Sequence, residues 1–137
     1  MASLIPENSA AFSLSEVAQI TGGTLVGADA QCVGVTTDSR ADLRGRLFVA
    51  LRGERFDGHD FAQQAIAAGA AGVVVEQDVP GVPSVRVAST LSALGALAAE
   101  HRARWAKRIV AVAGSAGKTT TRSAITAVLG ELFPGAV

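Results

Sequence analysis

The sequence predicts an α/β protein: a small α/β domain over residues 1–88, followed over 89–137 by the first strand, phosphate-binding turn and helix of a second, truncated domain. Three observations predict it. Short β-branched runs alternate with stretches of helical spacing, the pattern of a sheet covered by helices. Glycine, proline and aspartate punctuate the junctions between them. Residues 108–120 read R-I-V-A-V-A-G-S-A-G-K-T-T, which is a strand, a glycine turn, a lysine and two threonines in succession.

Residues 1–12 read as a loose leader. Ser13-Leu14-Ser15-Glu16 is a capping-box pattern, in which the Ser13 hydroxyl and the Glu16 carboxylate satisfy the unpaired N–H groups of a helix start. Leu14, Val17, Ala18 and Ile20 give that helix an apolar face, and Gly22-Gly23 ends it. Strands are expected at 24–26, 33–37 and 47–51, separated by turns around Gly27-Ala28-Asp29 and Asp42 to Gly45. The next helix is expected at 59–68 with Phe61, Ala65 and Ala68 on its buried side and Gly69 closing it. Strands follow at 72–75 and 85–87, with Pro80 and Pro83 in the loop between them. A helix at 91–105 places Leu91, Leu94, Ala98, His101 and Trp105 on one stripe, where Trp105 reads as a packing anchor. The β-branched run 109–112 reads as a buried strand, and a last helix at 117–132 turns Ile125, Val128, Leu129 and Leu132 inward before Pro134.

The 137 residues suffice for one sizeable core, and 49% hydrophobic with 18% charged residues fits a core-rich globular chain. Twelve basic residues balance twelve acidic ones, so no broad positive field exists to gather nucleic acid or an anionic membrane. Cys32 is the only cysteine, which rules out an intrachain disulfide and suits a reducing compartment. No Lys or Arg precedes Arg40 and no continuous apolar segment occurs near the N-terminus, so a cytoplasmic location is expected.

The turn after residue 112 carries the chemistry. Backbone N–H groups of Ser115, Ala116, Gly117 and Lys118 can converge on phosphate oxygens, and the N-terminus of the following helix adds its dipole. Lys118 brings a positive charge to the anion, and Thr119 offers a hydroxyl to magnesium. The longer glycine pattern of phosphate-binding loops would put its first glycine at position 112, where this chain has Val112; the form present is the shorter Gly114-Ser115-Ala116-Gly117-Lys118-Thr119-Thr120. A plain strand-to-helix turn with a solvated lysine is the competing reading, and the ordered strand, turn, Lys and Thr argue against it.

Three blocks occur together: T-T-D-S-R at 36–40, L-F-V-A-L-R-G-E-R-F-D-G-H-D-F at 47–61, and G-S-A-G-K-T-T-T at 114–121. In order and content they resemble the N-terminal region of the Mur ligases, the ATP-dependent enzymes that build the peptide of peptidoglycan. The middle block is most similar to the branch that joins D-alanyl-D-alanine to UDP-N-acetylmuramoyl-tripeptide, with the branch that adds the third amino acid next. The resemblance implies that residues 13–88 hold the UDP end of the nucleotide-sugar peptide and that the 114–120 loop holds ATP and magnesium, in a reaction that passes through an acyl phosphate. Ser39 can donate its hydroxyl and Arg40 its planar fork to phosphate or a uracil carbonyl, with Asp38 fixing the turn. It further implies that the chain is the first third of a longer enzyme and is inactive by itself, since later magnesium ligands and the amine-binding domain are not encoded in it.

Taken alone, D-S-R reads as a side-chain-stabilised turn with Arg40 in solvent, and Asp57-Gly58 as a tight turn before a helix that can shape the uridine pocket. His59 and His101 have no carboxylate or cysteine partner at a recognisable spacing and are expected to be structural. Phe48 and Phe56 could flank a uracil ring, although apolar strand residues are more often core. Arg46 stands where the family often has an acidic residue, and Ala116 where asparagine is frequent. A generic P-loop ATPase and a stand-alone UDP-sugar-binding module are the readings that compete with a ligase.

Overall fold

The computed structural model describes residues 8–105 and 109–132. The chain divides into two units, Met1–Trp105 and Ala106–Val137.

In the first unit, strand β1 (Ala11–Ser13) runs directly into helix α1 (Leu14–Thr21). The expected capping box is present: Glu16 N–H donates to Ser13 Oγ at 3.1 Å and Ser13 N–H donates to the Glu16 carboxylate at 2.7 Å. There follow β2 (Thr24–Val26), β3 (Gln31–Val33), β4 (Val35–Thr36), β5 (Leu47–Val49), a 3₁₀ turn (Gly58–Phe61), α2 (Ala62–Ala67), β6 (Gly72–Val75), β7 (Ser84–Arg86) and α3 (Thr90–Trp105). Five strands form one sheet in the order β2-β7-β6-β5-β4, with β4 to β7 parallel and β2 antiparallel at the edge. A separate antiparallel pair joins β1 to β3, with Phe12 opposite Cys32.

Strand alternation sorts the core onto two faces. Leu47, Val49, Val74 and Val85 point toward α1 and α3, where they meet Phe12, Leu14, Val17, Ala93 and Leu97. Phe48, Ala50, Val73 and Val75 point to the other face and pack with Ala62 and Ala65 of α2. The result is a sheet between two helical layers, as the alternating pattern predicts.

Several expectations change. The leader assigned to residues 1–12 is structured from Asn8 onward, because the Asn8 side-chain amide exchanges two hydrogen bonds with the Val35 backbone, Phe12 buries its ring in the α1/α3 core and β1 pairs with β3; residues 1–7 lie outside the described residues. The single strand expected at 33–37 is two, since Gly34 at φ 90° turns the chain between its partners β1 and β5. The buried side of α2 is Ala62 and Ala65, while Phe61 and Ala68 are exposed. The buried side of α3 is Thr90, Ala93 and Leu97, one residue round from the predicted stripe, which leaves Leu91, Ala98 and Trp105 exposed. Helix α3 packs on the sheet of the first unit, whose last residue is Trp105.

In the second unit, helix α4 (Lys118–Leu132) begins one residue later than expected. Residues 109–114 form no strand: a strand is defined by its ladder, and no other strand pairs with them among the described residues. The apolar side of α4 is not buried among the described residues, where Val128 and Leu132 are 58% and 65% exposed. Pro134, read as its stop, lies outside the described residues.

Candidate functional site

In the second unit the Gly114–Gly117 turn opens directly into α4. Gly117 has φ 75°, and Thr121 N–H donates to its carbonyl at 2.9 Å, the first bond of the helix ladder. A cavity of about 250 Å³ lies against this end of the helix, lined by Val110, Val112, Lys118, Thr119 and Arg122. The Lys118 ammonium donates to the Gly114 carbonyl, so the side chain curls over the turn it follows. Ser123 Oγ donates to the Thr119 carbonyl at 2.9 Å, whereas the Thr119 hydroxyl has no partner among the described residues.

Of the residues read from sequence for this loop, Lys118 and Thr119 line the cavity, and Gly114, Ser115, Ala116, Gly117 and Thr120 sit exposed around it. Arg122 was not singled out from sequence. Its signal is simple: four residues after Lys118 on a helix is the same face one turn on. The residues fit a nucleotide phosphate chain with magnesium: an exposed helix N-terminus, a cation and a free hydroxyl meet at one cavity.

In the first unit the four parallel strands end on one edge of the sheet, which is where ligands of open α/β sheets bind. The turn after β4 carries Asp38, Ser39 and Arg40. Arg40 N–H donates to Asp38 Oδ1 at 3.0 Å, and the Arg40 guanidinium grips the same carboxylate through Nε at 2.9 Å and Nη2 at 3.0 Å. The Arg40 side chain is nonetheless 88% exposed, and its guanidinium holds the Asp38 carboxyl below the usual carboxylate range. Asp38 thus fixes the turn as expected. The Arg40 fork, expected to face a ligand, rests on Asp38, and half-buried Ser39 has no hydroxyl partner among the described residues.

The segment after the adjacent strand β5 is a hairpin. Arg52 and Asp57 form an isolated antiparallel bridge, Gly53 N–H donates to the Phe56 carbonyl at 2.9 Å, and Gly58 N–H donates to the Leu51 carbonyl at 2.8 Å. Glycine is required at position 58, where a Cβ would come within 2.7 Å of the Leu51 carbonyl oxygen. Phe56 lies 59% exposed at the tip, while Phe48 is core, so only Phe56 is available to a ring.

His59 is not the isolated histidine expected from sequence. Its Nδ1 lies 2.5 Å from Asp57 Oδ1, and its Nε2 accepts the Glu76 N–H at 2.8 Å. An accepting Nε2 puts the proton of the neutral ring on Nδ1, which donates to Asp57. Asp57 Oδ1 also accepts the His59 N–H at 3.0 Å, and Asp57 Oδ2 accepts Arg52 Nε at 2.9 Å. These donors hold the Asp57 carboxyl down at about 2, the His59 backbone N–H foremost and then its ring. The other histidine, His101, is half-buried on α3.

Cys32 is buried, and burial pushes its thiol up to about 11, which suits a packing role. Among the described residues no three His, Cys, Asp or Glu side chains group to hold a metal ion, and no helix is long and apolar enough to cross a membrane.

A family model described as "Mur ligase family, catalytic domain" matches residues 31–102. The chain is 44% identical over 120 residues to the UDP-N-acetylmuramoyl-tripeptide–D-alanyl-D-alanine ligase of Escherichia coli, covering 87% of this chain and 26% of that protein. It is 41% identical over 101 residues to the UDP-N-acetylmuramoyl-L-alanyl-D-glutamate–2,6-diaminopimelate ligase of Aquifex aeolicus, covering 72% and 21%. A crystal structure of MurF from Acinetobacter baumannii superposes with a TM-score of 0.74 at 32% identity, covering 93% of this chain and 28% of that one. MurF from Thermotoga maritima, solved in complex with ADP, gives 0.64 at 35% identity over 71% of this chain and 23% of that one. The chain thus spans about a quarter of the length of the curated relatives it matches.

Proposed function

This chain belongs to the Mur ligase family, and we propose that it forms the UDP-substrate-binding domain and the ATP-binding loop of a ligase joining D-alanyl-D-alanine to UDP-N-acetylmuramoyl-tripeptide. The observation that carries the reading is the agreement of two sites with one reaction: a strand edge bearing Ser39 and Arg40 in the first unit, and a phosphate-binding turn with Lys118 and Thr119 in the second. Domain roles follow the same division, with the first unit for the UDP end and the second for ATP.

ATP, when bound, supplies the phosphoryl group that activates the peptide carboxylate toward the incoming amine. The residues of this chain contribute placement and charge neutralisation. Lys118, released from the Gly114 carbonyl, faces the β- and γ-phosphates, and the N–H groups of Ser115 to Lys118 face phosphate oxygens at the start of α4. The unclaimed Thr119 hydroxyl is the oxygen ligand this chain offers to magnesium, with Thr120 behind it. Arg122 adds a second cation on the same face. In the first unit, a phosphate that competes with Asp38 for the Arg40 fork exchanges one bidentate anion pair for another.

A ligase that adds 2,6-diaminopimelate is the second reading, favoured by the similarity to the Aquifex relative. Phosphate release by the protein that carries this chain separates the two. Release that requires D-alanyl-D-alanine supports the first reading, and release that requires 2,6-diaminopimelate supports the second. Release with neither amine points to a generic P-loop ATPase, and saturable UDP binding without any nucleotide dependence points to a binding module.

A further inference from the structure

We propose that His59 is a positioning residue for the uridine end of the substrate, holding the Arg52–Asp57 hairpin in place by bridging Asp57 to the backbone of Glu76. The inference rests on the UDP-binding reading of the first unit and adds to it a residue that touches no ligand.

The hairpin needs such a support. Among the described residues, its arms are joined by the two backbone bonds at Gly53 and Gly58, which make up the Arg52–Asp57 bridge, and by the exposed Arg52–Asp57 ion pair, and a two-stranded ribbon of this size is marginal by itself. Its tip also buries little, since Glu54, Arg55 and Phe56 are exposed. The fixed points are Asp57 and Arg52, and both lead to the end of β6. Asp57 reaches it through the His59 ring, and Arg52 Nη1 lies 3.9 Å from Glu76 Oε2.

The histidine ring suits the task because it carries a donor and an acceptor on one rigid body. With the side chain only 2% exposed, both nitrogens are committed, Nδ1–H to the carboxylate and Nε2 to an amide of a neighbouring strand end. A buried bond of this kind is costly to leave unmade on either side. The segment it steadies stands at the same sheet edge as Ser39 and presents an exposed ring at Phe56 and, in Arg55, a cation without an ion-pair partner among the described residues. Those are groups suited to a base and to phosphate, and order imposed before binding reduces the entropy cost of binding.

The test compares the full chain with His59→Asn, His59→Gln, His59→Leu and Arg40→Ala. UDP affinity is measured by calorimetry, hydrogen exchange is followed at the Gly53 and Gly58 amides, and thermal melting reports folding. Asparagine can keep the bond to Asp57 and glutamine the bond from Glu76, so the two conservative variants separate the ring's two ties. The expected result is UDP binding weakened roughly tenfold in His59→Leu, which breaks both ties, and roughly threefold in His59→Asn and His59→Gln, which each break one, with faster exchange at both amides in all three. Wild-type affinity in His59→Gln and His59→Leu, alongside faster hairpin exchange and a weakened Arg40→Ala, overturns the positioning role and leaves the substrate reading intact. Equal weakening in all three His59 variants, in proportion to lost melting temperature, reduces His59 to a structural residue and also overturns it. Absence of UDP binding by the wild-type chain overturns the substrate reading and this inference with it. Where His59→Leu does not fold, His59→Asn and His59→Gln decide: weakened UDP binding with faster exchange at both amides supports the bridge, and wild-type affinity with faster exchange overturns it.

Discussion

The Glu76 carboxylate accepts both the backbone N–H of Thr90, at 2.9 Å, and the Thr90 hydroxyl, at 3.1 Å. The end of β6 is thereby tied to the first turn of α3, where a negative charge also complements the helix dipole. Glu76→Ala should lower stability by roughly 1–2 kcal/mol, measured by urea unfolding. Thr90→Val, which keeps the N–H and removes the hydroxyl, should cost less than Glu76→Ala.

Asp57 should contribute to acid sensitivity, alongside the Asp42 carboxyl that the Arg44 guanidinium holds equally low. The Asp57 carboxyl is held at about 2 in the folded chain against an ordinary value of 3.8. A depressed carboxylate contributes stability that is fully present above its unfolded value and is lost as the pH falls through the folded one. Between pH 4 and 2, therefore, Asp57→Asn should flatten the fall in melting temperature seen in the wild type. An unchanged slope would show that other carboxylates govern the acid limb.

Phe12 lies in the α1/α3 core with Leu14, Val17 and Leu97. Phe12→Ala should cost about 3–5 kcal/mol in chemical denaturation, the range for deleting a buried aromatic ring. A loss under about 1 kcal/mol would return this stretch to the status of a leader.

If the proposed reading of α4 holds, Lys118→Ala should weaken binding of ATP with magnesium roughly tenfold by calorimetry, since it removes the cation proposed to face the phosphates. Arg122→Ala should weaken it by a smaller factor. An Arg122→Ala affinity equal to wild type would remove that residue from the phosphate site.

Legibility followed how local each interaction is. The capping box of Ser13 and Glu16, the strand Gly72–Val75 and the turn before Lys118 are contiguous patterns, and each stands where it was read. Strand β1 was not legible because its evidence is pairing with Gln31–Val33, remote in sequence. The face of α3 was misread for a different reason: in an alanine-rich helix, the sets Leu91, Leu94, Ala98 and Thr90, Ala93, Leu97 both have helical spacing, and only packing against α1 chooses between them. At the strand edge, D-S-R could be read as a turn, but the Arg40 grip on Asp38 depends on rotamers that spacing does not set. His59 was half legible. Asp57 stands two residues before it, whereas the other partner is a backbone amide 17 residues away.

The central claim, that the first unit takes the UDP end of a nucleotide-sugar peptide, is tested most directly by titrating UDP-N-acetylmuramoyl-tripeptide into the wild-type chain and into Ser39→Ala and Arg40→Ala variants. The account predicts saturable heat at a single site, with affinity reduced roughly tenfold in Arg40→Ala and by a smaller factor in Ser39→Ala. Absence of saturable heat in the wild type, or equal affinity in all three folded chains, would contradict it.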